Sequence, residues 1–215
     1  MLTPGVIAGW HAMRVLAPVA GDVSAVCKPF DVSRSGFALG EGAAAFILET
    51  QEHARRRGAH VWARLSGYGT STDAVHITNP DPGGQVRAMR MALQDAGLQP
   101  EDIGYINAHG TATLAGDLAE SDSIAQVFKS VAVPVSSTKG MHGHLLGAGG
   151  ALELLIALQA LQRQRLPVSA NLLEPDPRCQ IHLVRSSTPL QRPIRHVMSN
   201  SFAFGGTNAV LIAST

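Results

Sequence analysis

Cysteine is scarce in this chain. There are two, Cys27 and Cys179, in 215 residues. They lie far apart and in no metal-ligand spacing, so neither a disulfide framework nor a thiolate metal site is expected, and a reducing cytoplasm is the expected compartment. Charge is also sparse, at 15% of residues with a net of +1. The longest basic run is Arg55-Arg56-Arg57, which reads as a solvated helix end, so neither nucleic acid nor an anionic membrane is an expected partner. No uninterrupted apolar segment is long enough to span a bilayer. No basic leader precedes a hydrophobic core near Met1, so no signal peptide is expected. Small and apolar residues are plentiful instead: 45% of the chain is hydrophobic, with 22 glycines. That suffices for the core of one domain, or of half a larger one.

Helical and strand patterns alternate along the chain. Val6 to Leu16 is weakly amphipathic, with Thr3 as a cap and Pro4 inside its start, so a helix is expected there. A domain of this kind seldom begins on a helix with no strand before it, which points to further chain upstream. Phe30 to Gly42 reads as a glycine-rich loop in which Asp31 and Arg34 can pair. Ala43 to Leu48 is apolar throughout and predicts a central strand. Glu49 to Arg57 predicts a helix stopped by Gly58, and Val61 to Tyr68 a strand. A long polar loop is expected over Gly69 to Gly84; its length hints at a functional or partner-facing role. Gln85 to Ala96 predicts a helix ended by Gly97. Strands are expected at Ile103 to Ala108 and at Val131 to Val135, where Pro134 demands an edge, a strand end or a bulge. Asp117 to Phe128 predicts a helix with acid near its start. Leu145 to Leu161 is the most hydrophobic helical stretch, with Glu153 in its middle; Gly147, Gly149 and Gly150 imply close packing. Pro167 to Cys179 is irregular. Short strands are expected at Ile181 to Val184, His196 to Asn200 and Ala209 to Ala213, with a tight turn from Phe202 to Asn208. The pattern is that of a layered α/β domain with a mixed sheet.

Three stretches place chemistry at strand ends, where open α/β sheets carry their sites. Ile106 to Glu120 sets His109, Gly110, Thr111 and Thr113 before a helix that begins with Asp117. Lys139 to His144 adds a lysine and a second histidine, the latter at the start of the buried helix, where the helix dipole favours neutral imidazole. Phe202 to Asn208 adds a glycine-rich turn. Two neutral histidines can donate Nε2–H to a developing oxyanion. A metal site built from His142, His144 and His109, Asp117 or Glu120 is the rival, though it matches no strong zinc spacing. Neither cysteine sits in a nucleophile context, and no nucleophile elbow is present.

At these residues the chain resembles the C-terminal half of the β-ketoacyl-acyl carrier protein synthases, elongating condensing enzymes of thiolase-like fold. The resemblance runs from Thr3 to Ala213. It is carried by Phe30-Asp31, Arg34, Gly36-Phe37 and Gly40-Glu41-Gly42; by His109-Gly-Thr-Ala-Thr113 with Asp117 and Glu120; by Ser136-Ser-Thr-Lys139 and Gly143-His144; by Glu153; and by Asn200-Ser-Phe202 with Phe204-Gly-Gly-Thr-Asn208. It implies a thiolase-like layered α/β/α fold with a mixed five-stranded sheet, of which residues 1–215 form the C-terminal half-domain and residues 1–30 a remnant of the N-terminal half.

The resemblance further implies decarboxylative condensation of malonyl-carrier protein with an acyl thioester held on a cysteine of the N-terminal half. His109 and His144 would stabilise the thioester oxyanion. Lys139 would orient His109 and an acidic network through Glu120. Phe204 would gate the site on the flexible pair Gly205 and Gly206, while Asp117, Thr111, Thr113 and Glu153 would support it. No cofactor or metal is implied. The implied partners are acyl carrier protein and an N-terminal half or partner subunit, in a dimer or higher association. The family's cysteine motif is absent, so the chain is expected to be a truncation, a fragment or half of a split enzyme, inactive alone. Ala203 stands where glycine is common and His142 where a threonine is usual. A non-catalytic chain-length-factor-like subunit is the alternative, disfavoured because His109, Lys139 and His144 are all retained. A thiolase-like enzyme of coenzyme A esters is another, and the two glycine-threonine loops argue against it.

Overall fold

In the computed structural model the described residues are 2–19, 21–129, 131–187, 190 and 192–215. Helix α1 spans Pro4–Ala12, with the Thr3 side chain accepting from the Val6 N–H. It stops short of the Leu16 expected, and Arg14 just beyond it adopts a left-handed φ of 56°. A short α2 (Gln51–Arg56) is capped by Thr50. Strand β1 (Arg64–Thr72) takes the first residues of the expected long loop, and α3 (Pro82–Ala96) takes the last, so the connection shrinks to residues 73–81. Then follow β2 (Tyr105–Asn107), α4 (Leu114–Phe128), β3 (Pro134–Ser136), the single turn α5 (Lys139–His142), α6 (Gly149–Arg163), β4 (His182–Leu183), β5 (His196–Ala203) and β6 (Thr207–Ser214).

The strands form one sheet in the order β1-β6-β5-β2-β3-β4. β6 runs antiparallel to β1 and β5, while β5, β2, β3 and β4 are mutually parallel. The mixed layered sheet is as expected, but among the described residues it has six strands rather than five, with the expected strand near Ile181 to Val184 reduced to the two-residue β4 at the outer edge of β3. Pro134 opens β3, the strand-end position at which a missing N–H is tolerated. Side-chain alternation divides the core. Ile106, Met198 and Ile212 face α3 and α4, meeting Met89, Leu93, Ile124 and Phe128. Tyr105, Val197 and Ala213 face α6, meeting Leu154, Ala157 and Leu161.

Several expectations are corrected. Ala43 to Leu48 lies in no strand, and Ile47 is 89% exposed, because no strand runs alongside among the described residues to accept its hydrogen bonds. Asp31 does not pair with the Arg34 guanidinium through its carboxylate. Its oxygens accept from the N–H groups of Ser33, Leu173 and Glu174, while Arg34 turns to Asp117 at 3.4 Å and Asp176 at 2.7 Å. Of the three helix-start glycines only Gly150 is tight, with Ser201 Oγ 3.0 Å from where a Cβ would stand; Gly147 has open space, since it lies in a 3-10 turn before α6.

Candidate active site

Residues of the three stretches line one cavity: His109 from just beyond β2, His144 from between α5 and α6, five residues ahead of α6 rather than at its start, and Phe204 from the β5–β6 hairpin. β2 ends at Asn107 and delivers His109 to the rim of a cavity of about 650 Å³. Gly110 makes the next turn possible. A Cβ there would stand 2.6 Å from Ser137 Cβ and 2.9 Å from the Phe30 ring, so only glycine fits. Its two neighbouring N–H groups are secured by one carboxylate: Glu120 accepts from His109 N at 2.9 Å and from Gly110 N at 2.7 Å, and also from Asn200 Nδ2 at 3.1 Å. Thr113 caps α4 through Gly116 N, and its hydroxyl lies 3.0 Å from that of Thr111; both threonines line the cavity.

Lys139 enters from the first turn of α5 and is fully buried. Its Nζ donates to His109 O at 2.5 Å, lies 3.5 Å from His109 Nδ1, and is ion-paired with Glu153 of α6. Among the expected acids, then, Glu153 rather than Glu120 meets the lysine; Glu120 holds the backbone of the histidine loop. Asp117 does not line the cavity. It accepts from Phe30 N at 2.7 Å and Ala112 N at 3.1 Å and faces Arg34, fastening the glycine-rich loop to α4. Burial pushes its carboxyl up to about 7, against the pull of the Phe30 N–H and the Arg34 charge.

His144 reaches the same cavity from a β-bridge with Leu39. Its ring stands 5.3 Å from that of His109, at 80°. The Leu146 N–H donates to His144 Nδ1 at 3.2 Å, which leaves the proton on Nε2. His109 Nδ1 faces the lysine ammonium, a donor only, so Nε2 carries the proton there too. Both rings are held neutral. Burial is the main cause for each, followed by the Lys139 charge, and it drives His109 well below its ordinary value and His144 down to about 3. The site therefore presents two neutral N–H donors beside one cation, an arrangement suited to a developing oxyanion.

His142 is half-buried and tied down, with Nε2 3.0 Å from Thr138 Oγ1 and Nδ1 2.7 Å from Gly143 O. Among the described residues no three histidine, cysteine, aspartate or glutamate side chains are grouped to hold a metal ion. Neither cysteine lines the cavity. Both are buried free thiols, and burial raises each, Cys179 to about 11. Phe204 stands at the cavity mouth in the hairpin between β5 and β6, where Gly205 and Gly206 take φ values of 80° and 74°. Sequence reasoning missed Trp10, whose ring lies 5.9 Å from Phe204 and 5.6 Å from Phe37. The one available signal was a lone large aromatic in a helix of small residues.

Layered α/β architecture, a mixed sheet and a facing histidine pair, one beyond β2 and one between α5 and α6, mark the thiolase-like class of fold. Residues 62–173 match the model of the beta-ketoacyl synthase C-terminal domain, and residues 1–54 match that of the beta-ketoacyl synthase N-terminal domain. The chain belongs to the beta-ketoacyl synthase family. It is 47% identical over 208 residues to nodulation protein E of Rhizobium meliloti, covering 96% of this chain and 50% of that protein. It is 42% identical over 215 residues to 3-oxoacyl-[acyl-carrier-protein] synthase 2 of Staphylococcus aureus, covering 98% of this chain and 53% of that protein. Among solved structures it superposes on one chain of AntDE:AntF, a type II PKS acyl-carrier protein in complex with its ketosynthase bound to the hexaketide. The TM-score is 0.94 and the identity 32%, over 100% of this chain and 53% of that one. The chain thus spans about half the length of the curated relatives it matches.

Proposed function

We propose that this chain supplies the histidine-bearing half of a 3-oxoacyl-[acyl-carrier-protein] synthase active site. The observation that carries the reading is the pair of neutral imidazoles with ring centres 5.3 Å apart, each with Nδ1 engaged, which places the donor proton on Nε2. In the reaction, malonyl-carrier protein enters the cavity and its thioester oxygen accepts from His109 and His144. Loss of CO2 leaves an enolate whose charge these donors stabilise. Its carbon attacks an acyl thioester, expels the cysteine thiolate and gives the 3-oxoacyl product on the carrier protein. Lys139, anchored by Glu153, holds His109 in place. Thr111 and Thr113 offer hydroxyls along the cavity wall, and Phe204 gates it on Gly205 and Gly206.

The nucleophilic thiol comes from outside these 215 residues, since Cys27 and Cys179 are both buried away from the cavity. Acyl carrier protein and a cysteine-bearing half or subunit are the proposed partners, in a cytoplasmic assembly. No helix among the described residues is long and apolar enough to cross a membrane. Retention of His109, Lys139 and His144 favours a catalytic half over a chain-length-factor-like role. The test is to incubate the pure chain with acyl- and malonyl-carrier protein, with and without a cysteine-bearing N-terminal half, and to measure 3-oxoacyl product by mass spectrometry. Product is expected only with the added half. Product from the chain alone, or none from the restored pair, overturns the reading.

A further inference from the structure

Four rings form an unbroken chain from the cavity mouth to the site. Phe204 lies 5.9 Å from Trp10, Trp10 lies 5.6 Å from Phe37 at 73°, and Phe37 lies 5.1 Å from His144 at 72°. The two ends differ in how they are held. Phe37 is buried and fixed through its backbone, donating to Val15 O at 3.0 Å and accepting from Ala17 N at 2.9 Å. Phe204 is 40% exposed on a hairpin whose next two residues are glycines with positive φ. Gly205 has open space around it, and its N–H donates to Ile77 O at 2.7 Å. Trp10 stands between the buried ring and the exposed one. No residue of α1 is buried, and Trp10 is its one residue with an aromatic contact.

We propose that Trp10 is a positioning residue, a latch whose indole packs against Phe204 in a tilted contact, holds the hairpin closed over the cavity, and links hairpin position to His144 through Phe37. The role rests on the reading of Phe204 as a gate given above. An aromatic pair of this kind is worth about a 2- to 12-fold bias between two arrangements. Opening the hairpin breaks the Phe204–Trp10 contact and leaves Phe37 and His144 with an altered wall. The linkage is reciprocal, so whatever moves Trp10 also shifts the hairpin.

The experiment uses the full chain with 4-fluorophenylalanine at position 204 and fluorine NMR to read the closed-to-open ratio. Trp10→Leu removes the ring but keeps apolar volume, and Trp10→Phe restores a ring. Trp10→Leu is expected to shift the ratio toward open by about 2- to 12-fold and to move the His144 ring resonances, while Trp10→Phe returns both toward the parent. An unchanged ratio in Trp10→Leu, or equal shifts in both variants, overturns the proposal. If the position-10 variants fail to fold, the reciprocal measurement decides. With Trp62→Phe as background, Trp10 is the sole tryptophan, and Phe204→Leu should raise its quenching by acrylamide; unchanged quenching overturns the latch. None of these readouts needs turnover, so the latch can fail while the synthase reading stands, and the reverse.

Discussion

Two apolar runs of this chain met different fates. Ala209 to Ala213 is the middle of β6, paired on both sides, with Val210, Ile212 and Ala213 fully buried. Ala43 to Leu48 has the same character, yet it lies in no strand, with Ile47 89% and Leu48 70% exposed. Apolar side chains make a strand only where neighbouring backbone can take up the N–H and C=O groups. The first run has β1 and β5 beside it. The second belongs to residues 1–54, the part that matches the N-terminal domain model. The contrast separates a run paired on both sides and buried from one that lies in no strand and stays exposed.

The largest expected effect sits on the buried side of that contrast. Lys139 and Glu153 are both buried and ion-paired. Lys139→Met removes one charge and strands the other, which should cost about 3–5 kcal/mol of stability. The double variant with Glu153→Gln should recover part of that loss. Chemical denaturation of the three proteins checks both points; a single variant as stable as the parent would break the idea that this pair holds the site together.

Next come the donors themselves. In a complex restored with a cysteine-bearing half, His144→Ala should slow release of labelled CO2 from malonyl-carrier protein by about 10²–10³, the usual worth of one oxyanion donor. His109→Ala should behave similarly. Acyl transfer to the cysteine, followed separately, should stay largely intact in His144→Ala. His142→Ala should cost far less, because its ring is turned to Thr138 and Gly143. Parental decarboxylation in His144→Ala, or equal damage from His142→Ala, sinks the assignment. So does loss of either step with a chelator and its recovery with zinc.

Acid sharpens the same contrast. His144 titrates near 3 in the folded chain against an ordinary 6.5, so between those values the unfolded chain binds a proton that the folded chain refuses. The stability this gives is present above pH 6.5 and is lost as pH falls toward 3, by up to about 1.4 kcal/mol per unit. The raised carboxyls of Asp117, Glu120 and Glu153 titrate in the opposite sense, so the measurement is a difference. The stability gap between parent and His144→Gln should be flat above pH 6.5 and move in the variant's favour below it. A gap that stays constant from pH 7 to 4 would show that His144 is not held neutral by the fold.

The contrast also accounts for what the sequence disclosed. The helices α3, α4 and α6 and the strands β2, β5 and β6 were legible from their apolar residues, and Gly97 marks the end of α3, whereas α4 begins at Leu114 behind its Thr113 cap, three residues before the expected Asp117. His109, Lys139 and His144 were legible as chemistry at strand ends, and the resemblance supplied their proposed roles. Three things depended on distant partners. Arg34 lies three residues from Asp31, yet its carboxylates are Asp117 and Asp176, reached only after folding. Glu153 meets Lys139 from another helix. Trp10 matters through Phe204, nearly two hundred residues away. None of these pairings has a local pattern to betray it.

The smallest effect on folding, and the most telling about the N-terminal stretch, should come from the exposed run. Ile47→Ser with Leu48→Ser removes apolar surface that the chain does not bury, so stability should change by no more than about 0.5 kcal/mol per site. Association should change much more. Contiguous exposed apolar side chains favour contact with another surface, and Val61 and Trp62, about half exposed, extend the apolar character of this stretch. In sedimentation at rising concentration the parent's average mass should climb, and the double variant's should climb less. Adding an N-terminal half should suppress self-association of the parent by covering the same run. A parent that stays a monomer at every concentration, with no dye-accessible apolar surface, would mean that Ala43 to Leu48 is content in water. The difference from β6 would then lie in the segment itself and not in the neighbour it lacks.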